Sequence, residues 1–408
     1  MGLARGVRRA PRDAPPARRA PRLCRARTAA AAALSLCLLA LAPIATLGAR
    51  PAPARSLRAS HHAPAAVPAG PFAVLAGRSR LIQQGPKLTG GGENGEGLFG
   101  ASVALSADGN TALVGAPSDD NDVGAVWVFT RTGSVWSQQG QRLTGAGEVG
   151  RGAFGASVAL SADGNTALIG GREDAGGVGA AWVFTRSGTT WSQQGHKLTG
   201  AEESGAGAFG SSVALSTNGT TALIGGQRDD DGVGAAWVLA RAGSSFAQQG
   251  QKLTGAEESG AGAFGYSSAL SADGDTALIG GEADGGGVGA AWAFTRSGTT
   301  WSQQGHKLTG QTGADKAFFG CSVALSGAGN VALVGGHDYE DVGATWEFKR
   351  SHSRWRERGA PLAGGEEAGF GAFGSSLALS SDGETALVGG VGDDSFIGAA
   401  WVFVAHRR

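Results

Sequence analysis

Short runs of alternating small and large apolar residues, broken by Gly, Asp and Ser, fill residues 81–408. In the unit that starts at Phe154, residues 156–161 (ASVALS) alternate at period two, which predicts a strand. Asp163-Gly164 then predicts a two-residue hairpin turn. Residues 166–170 (TALIG) predict a second strand, residues 180–186 a third, and residues 190–198 a fourth, entered through Ser187-Gly188. A short acidic, glycine-rich link leads to the next unit. The first strand is uncharged on both parities, with Val158 and Leu160 on one side and Ser157 and Ala159 on the other. Both of its faces are therefore expected to be covered.

The unit recurs. Phe-Gly stands at Phe99, Phe154, Phe209, Phe264, Phe319 and Phe373, at intervals of 55 residues four times and then 54. Four short antiparallel strands per repeat, each sheet covered by its neighbours, describe a propeller blade. The chain ends after a third strand, at Trp401-Val402-Phe403, and its repetitive part begins with a fourth, LIQQGPKLTG from Leu81. The expectation is an all-β, six-bladed β-propeller of four-stranded antiparallel blades, closed by pairing the N-terminal strand with the last blade, which removes two sheet edges.

Charge changes the picture at the N-terminus. Residues 1–60 hold twelve Arg and one Asp, so the remainder carries 22 basic and 33 acidic residues. Such a body repels nucleic acid and anionic lipid. The basic stretch runs into an apolar one, TAAAAALSLCLLALAPIATLG, followed by Ala52-Pro53-Ala54. Residues 1–54 read as a signal peptide or signal anchor, residues 55–80 as an Ala/Pro/Arg-rich linker, and residues 81–408 as the propeller. The expected location is secreted, or membrane-anchored through the uncleaved apolar segment. Cleavage would leave Cys321 alone, without a disulfide partner.

Phe99-Gly100 followed by Gly115-Ala116-Pro117 resembles the FG-GAP repeat, best known from the N-terminal propeller of integrin α subunits. Later copies soften the second half to Gly-Gly, as at Gly170-Gly171 and Gly225-Gly226. The phrase GAAWVFTRSGTTWSQQGHKLTG is similar to the secreted bacterial-type branch. The resemblance implies a β-propeller outside the cell, used for adhesion or ligand binding. The integrin-type repeat often carries an Asp-x-Asp-x-Asp-Gly calcium loop between its first two strands. Here that place holds Ser106 to Asn110, with one carboxylate, too few oxygens for calcium. That site is not carried over.

Loop placement puts the segments between second and third strands on one rim. That rim gathers Asp119, Asp120 and Asp122, the candidate calcium ligands. It also gathers Asp229, Asp230, Asp231, Asp338, Asp341, Asp393 and Asp394, expected to receive a basic ligand, an extracellular protein or glycan. Trp127, Trp182, Trp237, Trp292, Trp346 and Trp401 recur on third strands, and recurrence in every blade predicts packing rather than sugar stacking. The inner strands stay Ser, Val, Ala and Leu, the His residues are scattered, and only Tyr266 and Tyr339 are present. No Ser-His-Asp set, metal spacing or phosphate loop stands out. The expected function is a non-catalytic, monomeric binding or adhesion scaffold without a cofactor. A hydrolase or lyase with its site in the central channel, and a structural extracellular component, are the alternatives.

Overall fold

The computed structural model describes residues 84–310, 316–365 and 369–405. The leader and linker, residues 1–54 and 55–80, lie outside the described residues. The fold is the expected six-bladed β-propeller. In the second blade the strands are Ser157–Leu160, Thr166–Gly171, Ala180–Ser187 and Thr190–Gln193, hydrogen-bonded in chain order. Five blades have this four-stranded form, and the sixth has Phe373–Leu379, Thr385–Gly390 and Ala399–Val404. The fourth strand is shorter than its apolar pattern predicts. Beyond Gln193 the chain keeps one antiparallel bridge, Ala181 to Leu198, which anchors the link.

The first hairpin departs from a two-residue turn. Its loop is five residues long, 161–165, and within it the Ser161 hydroxyl accepts the Thr166 N–H at 2.9 Å and donates to Asp163 at 2.5 Å. The Asp163 carboxylate also accepts the Asn165 N–H at 3.0 Å, and Gly164 takes the left-handed conformation at φ 69°. Ser, Asp, Gly and Asn thus each close part of one local hydrogen-bond set, which leaves no carboxylate pair for a cation.

Blades one to five each pack one face on the next. Leu113, Val126 and Val128 of blade one form a core cluster with Phe154, Ile169, Trp182 and Phe184 of blade two. Trp182 is fully buried, meets Phe154 edge-on at 5.2 Å, and donates its indole N–H to the Ala146 carbonyl of the preceding link. The third-strand tryptophans are therefore packing residues, as their recurrence predicts.

Five of the six joints between blades repeat the same contacts. Ser102, Ser157, Ser212, Ser267 and Ser322 donate their hydroxyls to the carbonyls of Gly155, Gly210, Gly265, Gly320 and Gly374 on the following blade. Parallel bridges join Gly124 to Phe154 and so on to Gly343 and Phe373. The joint from blade six to blade one is not made among the described residues. Val103 and Leu105 on blade one are 69% and 57% exposed, and Leu387 and Val402 on blade six 43% and 53%, where their counterparts Leu113 and Val128 are fully buried. Of the expected closing strand, residues 81–83 lie outside the described residues, and Gln84 to Gly90 form no ladder. They do occupy the link position on blade one: Gln84 accepts from Arg131 and Trp136 at 3.2 Å, as Gln139 accepts from Arg186 and Trp191 one repeat later.

Candidate binding surface

The loops between second and third strands are single tight turns: Asp119–Asp122, Asp174–Gly177, Asp229–Gly232, Asp284–Gly287, Tyr339–Asp341 and Asp393–Phe396. Their composition has a backbone cause. In the first, Asp120 and Asn121 sit at φ 54° and 59°; in the third, Asp230 and Asp231 at 52° and 56°; in the fourth, Gly285 and Gly286 at 62° and 76°. Successive left-handed residues admit Asp, Asn and Gly and penalise most others. Asp, Asn and Gly therefore recur at the second and third loop positions, with Ala175 and Glu340 as exceptions at 54° and 51°, which explains part of the acidity without any ligand.

The first loop position is different. Asp119, Asp174, Asp229 and Asp284 are 0–2% exposed. Each carboxylate accepts a backbone N–H from the preceding link at 2.6 Å, from Asn94, Val149, Ser204 and Ser259 in turn. Its other oxygen pairs with a cation from the following link, Arg142, Lys197, Lys252 and Lys307. One buried carboxylate therefore ties both links of a blade to its loop. In blade five both partners change together: Tyr339 takes the Asp position and packs edge-on against Trp346 at 5.2 Å, and Pro361 takes the Lys position.

This division corrects the reading of the rim as one set of ligand residues. Asp119 and Asp229 are staples of the fold. Of the other candidate calcium ligands, Asp120 accepts from the Asn94 side chain at 2.9 Å and Asp122 lies 3.6 Å from Arg151. Among the described residues no group of three or more His, Cys, Asp or Glu is placed to hold a metal ion. Asp230, Asp231, Asp341 and Asp394 are exposed, and Asp338 and Asp393 half-buried. Behind the staples, Glu148, Glu203 and Glu258 are pushed up to about 7, by burial first and then by the neighbouring Asp174, Asp229 and Asp284.

The repeat breaks at the residue after the second strand: Pro117, Arg172, Gln227, Glu282, His337 and Val391. Glu282 is 8% exposed and burial pushes its carboxyl up to about 7. The Cys321 thiol is buried and pushed up to about 12 by that burial and by Glu282.

The FG-GAP repeat family matches residues 83–129. No curated protein matches the chain. Solved structures match this chain at low identity. A Bacteroides uniformis protein assigned as a 6-phosphogluconolactonase is 13% identical at a TM-score of 0.50, over 75% of this chain and 85% of that one. A functionally unknown Desulfotomaculum acetoxidans protein is 12% identical at 0.49, over 75% and 82%. Kuenenia stuttgartiensis hydrazine synthase is 11% identical at 0.47, over 75% and 78%. The Phe-Gly unit stands in phase six times with each copy folded as one blade, which is consistent with the FG-GAP repeat matched at residues 83–129.

Proposed function

We propose that this propeller is a non-catalytic binding scaffold that works outside the cell, secreted or held at its surface, and that its loop rim docks a basic protein or glycan segment. The observation that carries this reading is the spare charge on an otherwise repetitive body. Asp230, Asp231, Asp341 and Asp394 are exposed, lie on rigid left-handed turns and have no ion pair in the fold's staple set. A rigid frame that presents variable loops is the usual arrangement for recognition. The non-catalytic part is supported by Cys321 and Glu282, the reactive residue types that meet at the repeat-breaking position. Burial raises the thiol to about 12, the opposite of what a nucleophile needs.

The test is binding of an oligo-lysine peptide to the intact protein and to the variant Asp230→Asn, Asp231→Asn, Asp341→Asn. The variant should bind several-fold more weakly, and the difference should shrink with salt, because exposed charges are screened over about 10 Å at 0.1 M ionic strength. Arg131, Arg186 and Arg296 on the opposite rim do not serve as a silent control. Each stacks on a tryptophan at 5.4–5.6 Å. Val135→Thr, at an exposed opposite-rim position where blade two has Thr190, does serve. Equal binding by the triple variant would remove the rim from consideration.

A further inference from the structure

The outer edge of blade five departs from its siblings in one respect: it is cationic. In four blades the residues paired across the outer two strands are neutral, Thr130 with Ser137, Thr185 with Ser192, Ala240 with Ala247 and Thr295 with Ser302. In blade five the same place pairs Lys349 with Arg356. The next pair, Ser187 with Thr190 in blade two, becomes Ser351 with Arg354. Like charges directly opposite in an antiparallel pair repel, with Cβ atoms only about 5 Å apart. Lys349, Arg354 and Arg356 have no ion pair among the described residues, and the nearby Glu347 carboxylate is already taken by Arg358 at 3.1 Å.

Two of these cations, Arg354 and Arg356, line a crevice. Between the outer strands of blades four and five lies a cavity of about 770 Å³ lined by Ser302, Gln303, Ser353, Arg354, Trp355 and Arg356, with His306 and Lys307 at its blade-four side. His306 and Lys307 are engaged by Glu257 and Asp284. Arg354 and Arg356 are therefore the charges without an ion pair, and hydroxyl and amide groups share the rest of the wall with Trp355 and Leu308.

We propose that this crevice binds a sulfated polysaccharide, at a site separate from the loop rim and independent of the rim reading. Guanidinium groups meet sulfate oxygens with paired N–H donors, and Ser and Gln side chains match sugar hydroxyls. Nucleic acid fits less well, because the Trp355 face is covered by Arg350 at 5.6 Å and its N–H is held by Gln304, which leaves no platform for a base. A recess between two strands also gives a flat lipid surface little to touch.

The experiment titrates a heparin hexasaccharide into the full chain at 0.15 M salt, with polyphosphate of matched charge in parallel. The comparison variant is Lys349→Thr, Arg354→Thr, Arg356→Ser, which installs blade-four residues in blade five and so preserves the fold; its melting curve checks this. The expected result is heparin binding that falls at least tenfold in the variant with an unchanged melting temperature, and weaker binding of polyphosphate to the parent. The Asp230→Asn, Asp231→Asn, Asp341→Asn variant should bind heparin as the parent does, which separates this site from the rim. Absence of heparin binding, equal binding by the blade-five variant, or polyphosphate binding as tight as heparin would each overturn the proposal.

Discussion

Replacing Asp229 should unfold far more of the protein than replacing its two acidic neighbours. Its carboxylate is 1% exposed, holds the Ser204 N–H at 2.6 Å and meets Lys252 at 2.5 Å. Breaking a buried ion pair from one side costs about 3–5 kcal/mol. Lys252 keeps a fifth of its side-chain exposure, and the Glu202 carbonyl accepts from it at 2.9 Å, which points to the lower half of that range. The orphaned Ser204 N–H adds about 1–3 kcal/mol. Asp229→Ala should therefore lose about 4 kcal/mol, a large part of the roughly 5–15 kcal/mol that holds a domain together. Asp229→Asn keeps the amide acceptor and should lose about half as much. Asp230→Gly should be close to neutral, since blade four has Gly285 at the same left-handed position. Urea unfolding followed by tryptophan fluorescence reads all three. A loss below about 0.5 kcal/mol for Asp229→Ala, within the scatter of surface substitutions, or an equal loss for Asp230→Gly, would refute the staple.

Glu148, Glu203 and Glu258 have folded pKa values raised to about 7 from 4.5, so the folded state binds protons more tightly than the unfolded one. Their contribution is full below about pH 4.5 and lost as pH rises through 7, so the protein should melt lower at pH 8.5 than at pH 5.5. Because these groups are half-exposed the effect falls well below the ceiling of about 1.4 kcal/mol per unit, and replacing all three by Gln should flatten it; a flat profile in the parent would refute the assignment. Chelator should move the melting temperature little, because the first hairpin of blade one closes on its own Ser106, Asp108 and Asn110 groups; a large drop would reinstate calcium at Asp119, Asp120 and Asp122. Gly225→Ala would put a Cβ 2.0 Å from the Gly265 carbonyl of the next blade, whereas at Gly389 only the Ser376 side chain of its own blade is near. Differential scanning calorimetry should show the first severely destabilising and the second mild; equal damage would mean that the joint between blades six and one is made in solution.

Strand order, blade count and the packing role of the tryptophans were legible because period-two alternation and a fixed repeat length report directly on a two-faced sheet. The acidic rim was legible only as charge. Asp119, Asp120 and Asp122 look alike in sequence, yet one is a buried staple and the others sit at or beside left-handed positions. The distinguishing signal was present in the spacing: Asp174 to Lys197, Asp229 to Lys252 and Asp284 to Lys307 share one interval, and Tyr339 and Pro361 depart together. Frequent Asp, Asn and Gly at the next two positions likewise signal a backbone demand rather than a ligand. The blade-five cations escaped notice because charge was summed over the whole chain, and a net acidic body hides a local basic edge. Whether the two chain ends meet is a matter of three-dimensional fit that no local pattern encodes.

Among the described residues the joint between blades six and one is not made, so these two blades each present a face that the other five joints cover. Blade six ends in a face of the kind that, five times over, seats on the next blade, and blade one begins with the face that receives it. Lys87 stands one repeat before Arg142, at the place from which a cation would reach Asp393. These are the two halves of a head-to-tail contact, and such contacts either close on themselves or propagate without limit. Tethering favours closure, since ends on one chain see each other at an effective concentration in the millimolar range. The same chemistry sets a ceiling on storage and display: crowding many copies at comparable density turns a self-sealing washer into a template for filaments, with Leu387 and Val402 of one copy against Val103 and Leu105 of the next.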